Sequence, residues 1–165
     1  MLEFRVSDVY AVPLEDNFAD VVCCKSLIAG LDYQQNAIRE MARVAKHSGR
    51  VAVAEPGKLV GLPSQILRAT NLRFPDEHNL RNLFEKAGLE SIETKKREPP
   101  IVKDVAMFEW ATKNLFGERG LWELAVEEGV DEDKVIHTHE QLVRKIETSG
   151  LRFGTGVVFC KGVKS

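Results

Sequence analysis

Phe18-Ala19-Asp20-Val21-Val22-Cys23-Cys24 and Arg50-Val51-Ala52-Val53-Ala54 are two short apolar runs, the first interrupted only by Asp20 and the second closed by Glu55-Pro56-Gly57. Continuous apolar stretches between turn residues predict strands, the first of them buried on both faces. Between the two, Asp32-Tyr33-Gln34-Gln35 sets an acidic N-cap three residues ahead of a glutamine, close to the capping-box pattern, so a helix starts there. Its apolar residues Ala37, Ile38, Met41, Val44 and Ala45 form one helical stripe, and Gly49 supplies a left-handed stop. A strand, a helix and a strand in this order imply parallel pairing through a right-handed crossover. The chain is therefore of the α/β class.

Upstream, Glu3-Phe4-Arg5-Val6 alternates and stops at Ser7-Asp8, which predicts a further short strand. Downstream, residues 61–72 read as a short helix with loops. Pro75-Asp76 then opens a clean helix with Leu80, Leu83, Phe84 and Ala87 on one face, closed by Gly88. Residues 89–97 follow as a strand polar enough for an edge. Glycine breaks divide the helical stretch 101–149 into pieces at 101–116, 120–129 and 132–148, the last carrying Val135, Ile136, His139, Leu142, Val143 and Ile146 on one stripe. Residues 151–161 close the chain as a strand, with Val157, Val158, Phe159 and Cys160 as its buried part. No repeat or linker interrupts this order. One domain over residues 1–165 is expected, with 57–75 and 101–149 as helical lid or insert regions before the last strand.

A chain of 165 residues can bury a core without disulfides, and 44% hydrophobic with 29% charged residues is the balance of a globular protein. No apolar run approaches the roughly 18 residues of a membrane span, and no signal-peptide pattern opens the chain, so a cytoplasmic address and no membrane contact are expected. Lys and Arg total 23 against 25 Asp and Glu, a net charge of -2, which gives no broad attraction to nucleic acid. The three cysteines form no CxxC and no metal-ligand spacing, which suits a reducing compartment and no metal.

Residues 7–22, Ser-Asp-Val-Tyr-Ala-Val-Pro-Leu-Glu-Asp-Asn-Phe-Ala-Asp-Val-Val, together with Ile38-Arg39-Glu40-Met41-Ala42-Arg43-Val44-Ala45-Lys46 and Ser48 to Pro56, resemble the middle of class I S-adenosylmethionine-dependent methyltransferases, of the small-molecule, quinone-biosynthesis type. The resemblance covers about residues 3–57. It implies a Rossmann-like methyltransferase sheet that is N-terminally truncated, beginning at the family's third strand, with a helical insert before the last antiparallel strand. The family order 3-2-1-4-5-7-6 would then leave the run 18–24 at an open side, and pairing there by residues 3–6 or by a second copy is expected. The Gly-rich loop and the ribose-binding acid of the family lie outside this sequence, and Gly154-Thr155-Gly156 falls inside the final strand, where a bend is the plainer account. Two or three missing hydrogen bonds of about 1.5–3 kcal/mol each amount to roughly a thousandfold in affinity. S-adenosylmethionine binding by the chain alone is expected to be weak or absent, and a homo-oligomer or a complementing chain is the implied partner.

By the same resemblance Asp8 would accept from the adenine amino group, the Val9 backbone N–H would serve a ring nitrogen, and Cys24 and Lys25 would end the strand whose carboxyl edge faces the ligand. Asp8 also suits a plain turn, and Cys23 and Cys24 suit small core positions. Ser26 stands where many relatives have His and could orient a substrate hydroxyl or cap a turn. No catalytic residue stands out. His139 is the one candidate base for a small-molecule acceptor, weighed against a hydrogen-bonded core histidine. His137 and His139 point to opposite sides of a helix and cannot share a metal. Met107, Phe108, Trp110, Phe116 and Trp122 could form a hydrophobic lid or simply pack short helices. Lys95-Lys96-Arg97 would protect an edge strand. A non-catalytic, methyltransferase-like partner or binding subunit is the alternative to the enzyme.

Overall fold

The stripe in the first helix is its buried face: α1, Gln34–Val44, buries Ala37, Ile38, Met41, Ala42 and Val44. This is seen in a computed structural model, which describes residues 2–69, 74–114 and 120–165. The α1 N-cap is Tyr33, with no side-chain cap, so the predicted Asp32 capping box does not form. Nor does Gly49 stop the helix. Ala45 is already extended, the left-handed residue is Ser48 (φ 64°), and Gly49 is needed for room, since a Cβ there would lie 2.7 Å from the Lys46 carbonyl oxygen.

The strand before α1 is β1, Ala19–Lys25, and the strand after it is β2, Ala45–Val60, longer than the run 50–54 because it continues through Glu55-Pro56-Gly57. The two pair in parallel, Val22 opposite Val51 and Cys24 opposite Val53, as the strand–helix–strand pattern requires. After α2 (Ser64–Ala69), α3 spans Glu77–Glu85 behind an Asp76 cap that accepts from the Asn79 N–H, and Gly88 (φ 76°) turns the chain into β3, Leu89–Arg97.

The predicted closing strand is broken at Phe153 into β5, Leu151–Arg152, and β6, Gly154–Lys164, with Gly154 in a conformation (φ 112°) that favours glycine. β6 pairs antiparallel with β3, and the sheet order is β1-β2-β6-β3. That is the 4-5-7-6 portion of the order expected from the resemblance.

Two compact units make up the chain, the first comprising Met1–Gly57, Phe74–Arg97 and Val157–Ser165. Its core joins Ile38 and Met41 of α1, Leu80 and Phe84 of α3, and the inward residues Val51, Val53, Val158 and Cys160 of the sheet. Two sequence expectations fail here. Residues 3–6 form no strand: Phe4 and Val6 lie fully in solvent, since four residues without a ladder neighbour gain too little to order. β1 is not buried on both faces either. Val22 and Cys24 meet the core while Val21 and Cys23 are exposed, because both helices of this core lie on one side of the sheet.

The second unit, Lys58–Arg73 and Glu98–Gly156, holds β4 (Ile101–Val102) paired with β5, then α4 (Val105–Asn114), α5 (Leu121–Glu127) and α6 (Glu132–Ser149). Residues 101 and 102, read as helical, are thus a short strand. Asp131 caps α6 by accepting from the Lys134 N–H, and Gly150 (φ 77°) ends it. Val102, Phe108, Ile146, Leu151 and Phe153 form one apolar cluster and Ile66, Leu121, Ala125 and Val135 another. Ile136, predicted on the buried stripe of α6, is 51% exposed. Among the described residues no helix is long and apolar enough to cross a membrane.

Candidate functional site

The carboxyl end of β1 meets β2 beside a buried acid. Glu55, 1% exposed, accepts hydrogen bonds from the Leu27 N–H at Oε1 (3.1 Å) and from the Ala29 N–H at Oε2 (3.0 Å). Those two amides open the 3-10 turn Ile28–Gly30, whose Ile28 is wholly buried. Carboxylates at the start of a helical turn satisfy amides that have no partner of their own. Just before it, Ser26 takes a left-handed conformation (φ 52°) and its N–H donates to the Ala54 carbonyl, so β1 ends in a sharp, fixed turn. Among the described residues the Ser26 hydroxyl has no hydrogen-bond partner, and the turn that follows has no side-chain cap.

Cys24 and Lys25 lead into this turn. Cys24 is half-buried, and burial, with smaller effects from Glu55 and Cys23, pushes its thiol up to about 12. It is a neutral thiol and not a nucleophile at neutral pH. Lys25 and Cys23 are exposed.

Asp8 and Val9 form a second turn. The Asp8 carbonyl accepts from the Ala11 N–H (3.2 Å) and its Oδ1 from the Tyr10 N–H (2.9 Å), the local bonding of a turn acid. Asp8 Oδ2 and the Val9 N–H have no partner among the described residues. Val9, Tyr10 and Cys24 all pack on the first unit's core, and the Tyr10 hydroxyl accepts from the Tyr33 N–H at 3.4 Å with the rings edge to face.

The loop after this turn is clamped by α1. Arg43 donates to the carbonyls of Leu14 (2.9 Å) and Val12 (3.0 Å) and to Asp16 Oδ1 (2.6 Å), and it pairs with Glu40, which accepts from the Val12 N–H at 2.7 Å. The hydrogen bond from Arg43 holds the Glu40 carboxyl below its usual range and raises the guanidinium in turn. Glu40 and Arg43 stand one helical turn apart, which lets one face of α1 grip a whole loop. Neither Glu55 nor this clamp was singled out as functional in the sequence. The available signals were an acid ending an apolar strand and an acid–arginine pair three residues apart beside a buried stripe.

His139 stands in the second unit, on α6. Its Nε2 lies 2.6 Å from Glu109 Oε1 of α4, and its ring stacks over Phe108 and meets Trp122 edge-on. A carboxylate on one ring nitrogen fixes the tautomer and leaves Nδ1 as the basic position. A cavity of about 540 Å³ lined in part by Glu109, Trp110, Thr112, Lys113 and Trp122 adjoins this pair, and the buried Trp122 Nε1 has no hydrogen-bond partner among the described residues. Of the aromatic group read as a lid or as packing, Phe108 and Trp122 belong to the core, Met107 and Trp110 are exposed, and Phe116 lies outside the described residues. His137 accepts from Gln141 Nε2 at 2.8 Å. Among the described residues no group of three or more His, Cys, Asp or Glu could hold a metal ion.

Residues 1–53 match the family model for a methyltransferase domain, the same region that carries the turn at Asp8, the clamp and the β1–α1–β2 unit. Solved structures extend the likeness along the chain. The [4+2]-cyclase SpnF is 19% identical with a TM-score of 0.55, over 98% of this chain and 55% of its own. Phosphoethanolamine N-methyltransferase 2 of Haemonchus contortus, in complex with S-adenosyl-L-methionine, is 14% identical with a TM-score of 0.55, over 95% of this chain and 36% of its own. The YcgJ protein of Bacillus subtilis is 15% identical with a TM-score of 0.54, over 96% and 69%.

The fold is that of class I methyltransferases.

The resemblance read in residues 3–57 therefore holds, and with it the α/β, Rossmann-like sheet. The chain spans 55% and 36% of the first two of these structures. No curated protein matches the sequence closely enough to count as a relative.

Proposed function

We propose that this chain serves S-adenosylmethionine-dependent methyl transfer to a small-molecule acceptor in the cytoplasm. By itself it binds the cofactor weakly and depends on a complementing chain or a second copy. One observation carries the reading: within the region that matches the methyltransferase domain, the adjacent residues Asp8 and Val9 keep one carboxylate oxygen and one backbone N–H without a partner among the described residues. An acceptor next to a donor suits the amino group and ring nitrogen of an adenine, so the residues present fit that end of the cofactor. For the rest of it the sequence offers no Gly-rich turn before a helix, which supports weak binding.

The cofactor, when bound, supplies an activated methyl group. Transfer is an in-line displacement in which the protein aligns the acceptor and excludes water, and a base is needed only where the acceptor must lose a proton. Within the second unit His139, with Glu109 on its Nε2, is the one candidate base, beside its reading as a hydrogen-bonded core histidine. The turn held by Glu55 fixes the end of β1 so that Cys24 and Lys25 border the ligand.

The fold is not confined to methyl transfer, since SpnF, a [4+2]-cyclase, shares it, and a non-catalytic, methyltransferase-like subunit is the alternative reading. Amide chemical shifts recorded during a titration with S-adenosylhomocysteine test the proposal. Saturable shifts at Asp8, Val9, Cys24 and Lys25 support the cofactor site, and no shift at these amides at millimolar ligand refutes it.

A further inference from the structure

The four-stranded sheet has helices of its core on one side only. The ladder registers place Val21, Cys23 and Lys25 of β1, Arg50 and Ala52 of β2, Phe159 and Lys161 of β6, and Lys95 and Arg97 of β3 together on the opposite face. There Val21 is 59% and Phe159 40% exposed, and Cys23 is open to solvent. A groove of about 480 Å³ runs along this face beside Ala52, Glu93, Thr94, Lys95, Phe159 and Lys161.

Charge on the face is mostly positive, with Glu93, opposite Lys161 in the ladder, as its acid. Among the described residues only Lys161 of its five cations has a carboxylate partner, Glu93 at 3.0 Å, and Lys25, Arg50, Lys95 and Arg97 make no ion pair. An apolar middle ringed by unpaired cations fits an apolar stripe flanked by acids. Four strands spaced about 4.8 Å apart give a width that one helix, about 10 Å across, fills.

We propose that this face docks an amphipathic helix of another polypeptide, with an aliphatic stripe and glutamate or aspartate on its flanks. A second copy laid face to face would set five cations against five, since a two-fold interface brings the same patch against itself. Nucleic acid would satisfy the cations and leave Val21 and Phe159 unpaired with anything apolar. The inference deepens the reading above, in that it names the chemistry of the complementing chain.

The probes are two synthetic helical peptides of about 18 residues, both with leucine at helical spacing, one flanked by glutamate and one by lysine. Fluorescence anisotropy of the full chain with each peptide is compared with that of the double variant Arg50→Glu/Lys95→Glu. The proposal expects saturable binding of the glutamate peptide, at least tenfold weaker in the double variant and absent for the lysine peptide, with Cys23 protected from alkylation. Equal binding of both peptides, or none at millimolar peptide, overturns it. So does a concentration-dependent dimer whose Cys23 is protected without peptide, or binding of a DNA oligonucleotide in preference to the glutamate peptide. The S-adenosylhomocysteine titration is read at Asp8 and Val9, so either idea can fail while the other stands.

Discussion

Removing the Glu55 carboxylate should loosen the turn that ends β1. Its two oxygens receive the Leu27 and Ala29 amides at 3.1 and 3.0 Å in a site where the side chain is 1% exposed. Hydrogen bonds to a charged group contribute about 1.5–3 kcal/mol each. Glu55→Gln keeps one oxygen and turns an NH2 toward the other amide, so it loses one bond outright and weakens the second, about 2 kcal/mol in total. Glu55→Ala loses both, about 3–5 kcal/mol. Glu55→Asp keeps the charge but withdraws the oxygens by one methylene, and it should fall between the two. For a chain of this length about 2 kcal/mol lowers Tm by roughly 4–8 °C. Urea and thermal unfolding measure the loss, and hydrogen exchange at the Leu27 and Ala29 amides localises it. A Glu55→Gln variant within about 0.5 kcal/mol of the parent, or exchange at those amides unchanged, would refute the capping role.

The three thiols should separate by environment: at pH 8 iodoacetamide alkylates the exposed Cys23, while Cys24 and Cys160, pushed up to about 12 by burial, stay unmodified, as a peptide mass map would show. Because these two thiols ionise far more readily in the unfolded chain, near the ordinary value of 9.0, stability is full below pH 9 and falls as pH rises toward 12, and Cys160→Ala flattens that fall. At the acid end the sign reverses. The Glu40 carboxyl lies below its ordinary 4.5 through the Arg43 hydrogen bond, so its contribution is present above that pH and is lost as pH falls below it, and Glu40→Gln removes this slope from an acid titration followed by circular dichroism. Asp8→Asn should weaken adenosine-containing ligands at least severalfold with Tm unchanged, since the Asp8 side chain bonds only its own turn, and an unaltered affinity would remove Asp8 from the site.

What was legible in the sequence was whatever local pattern decides. The stripe from Ala37 to Ala45 and the valines of residues 50–54 fixed the helix, the strand and their parallel pairing, and Pro75-Asp76 with Gly88 bracketed α3. The failures share a cause, which is that local pattern carries no information about neighbours. Glu3 to Val6 alternates like a strand and finds no ladder, and Val21 and Cys23 are apolar yet face outward because no helix of the core lies there. Gly49 was read for its φ, whereas what it supplies is space against the Lys46 backbone. Of the candidate site, Asp8 and Cys24 are proposed from the family resemblance of their neighbours in sequence. The Glu55 cap and the Arg43 clamp join residues about 28 positions apart and become visible only when the chain is folded.

We propose that Asp8 and Val9 form a cofactor turn and that the chain binds the cofactor weakly without a complementing chain. Calorimetric titration of the purified chain with S-adenosylmethionine and S-adenosylhomocysteine tests it most directly. A Kd of about 1 mM is predicted, and a Kd of about 10 μM or tighter, or no binding at millimolar cofactor, would contradict it.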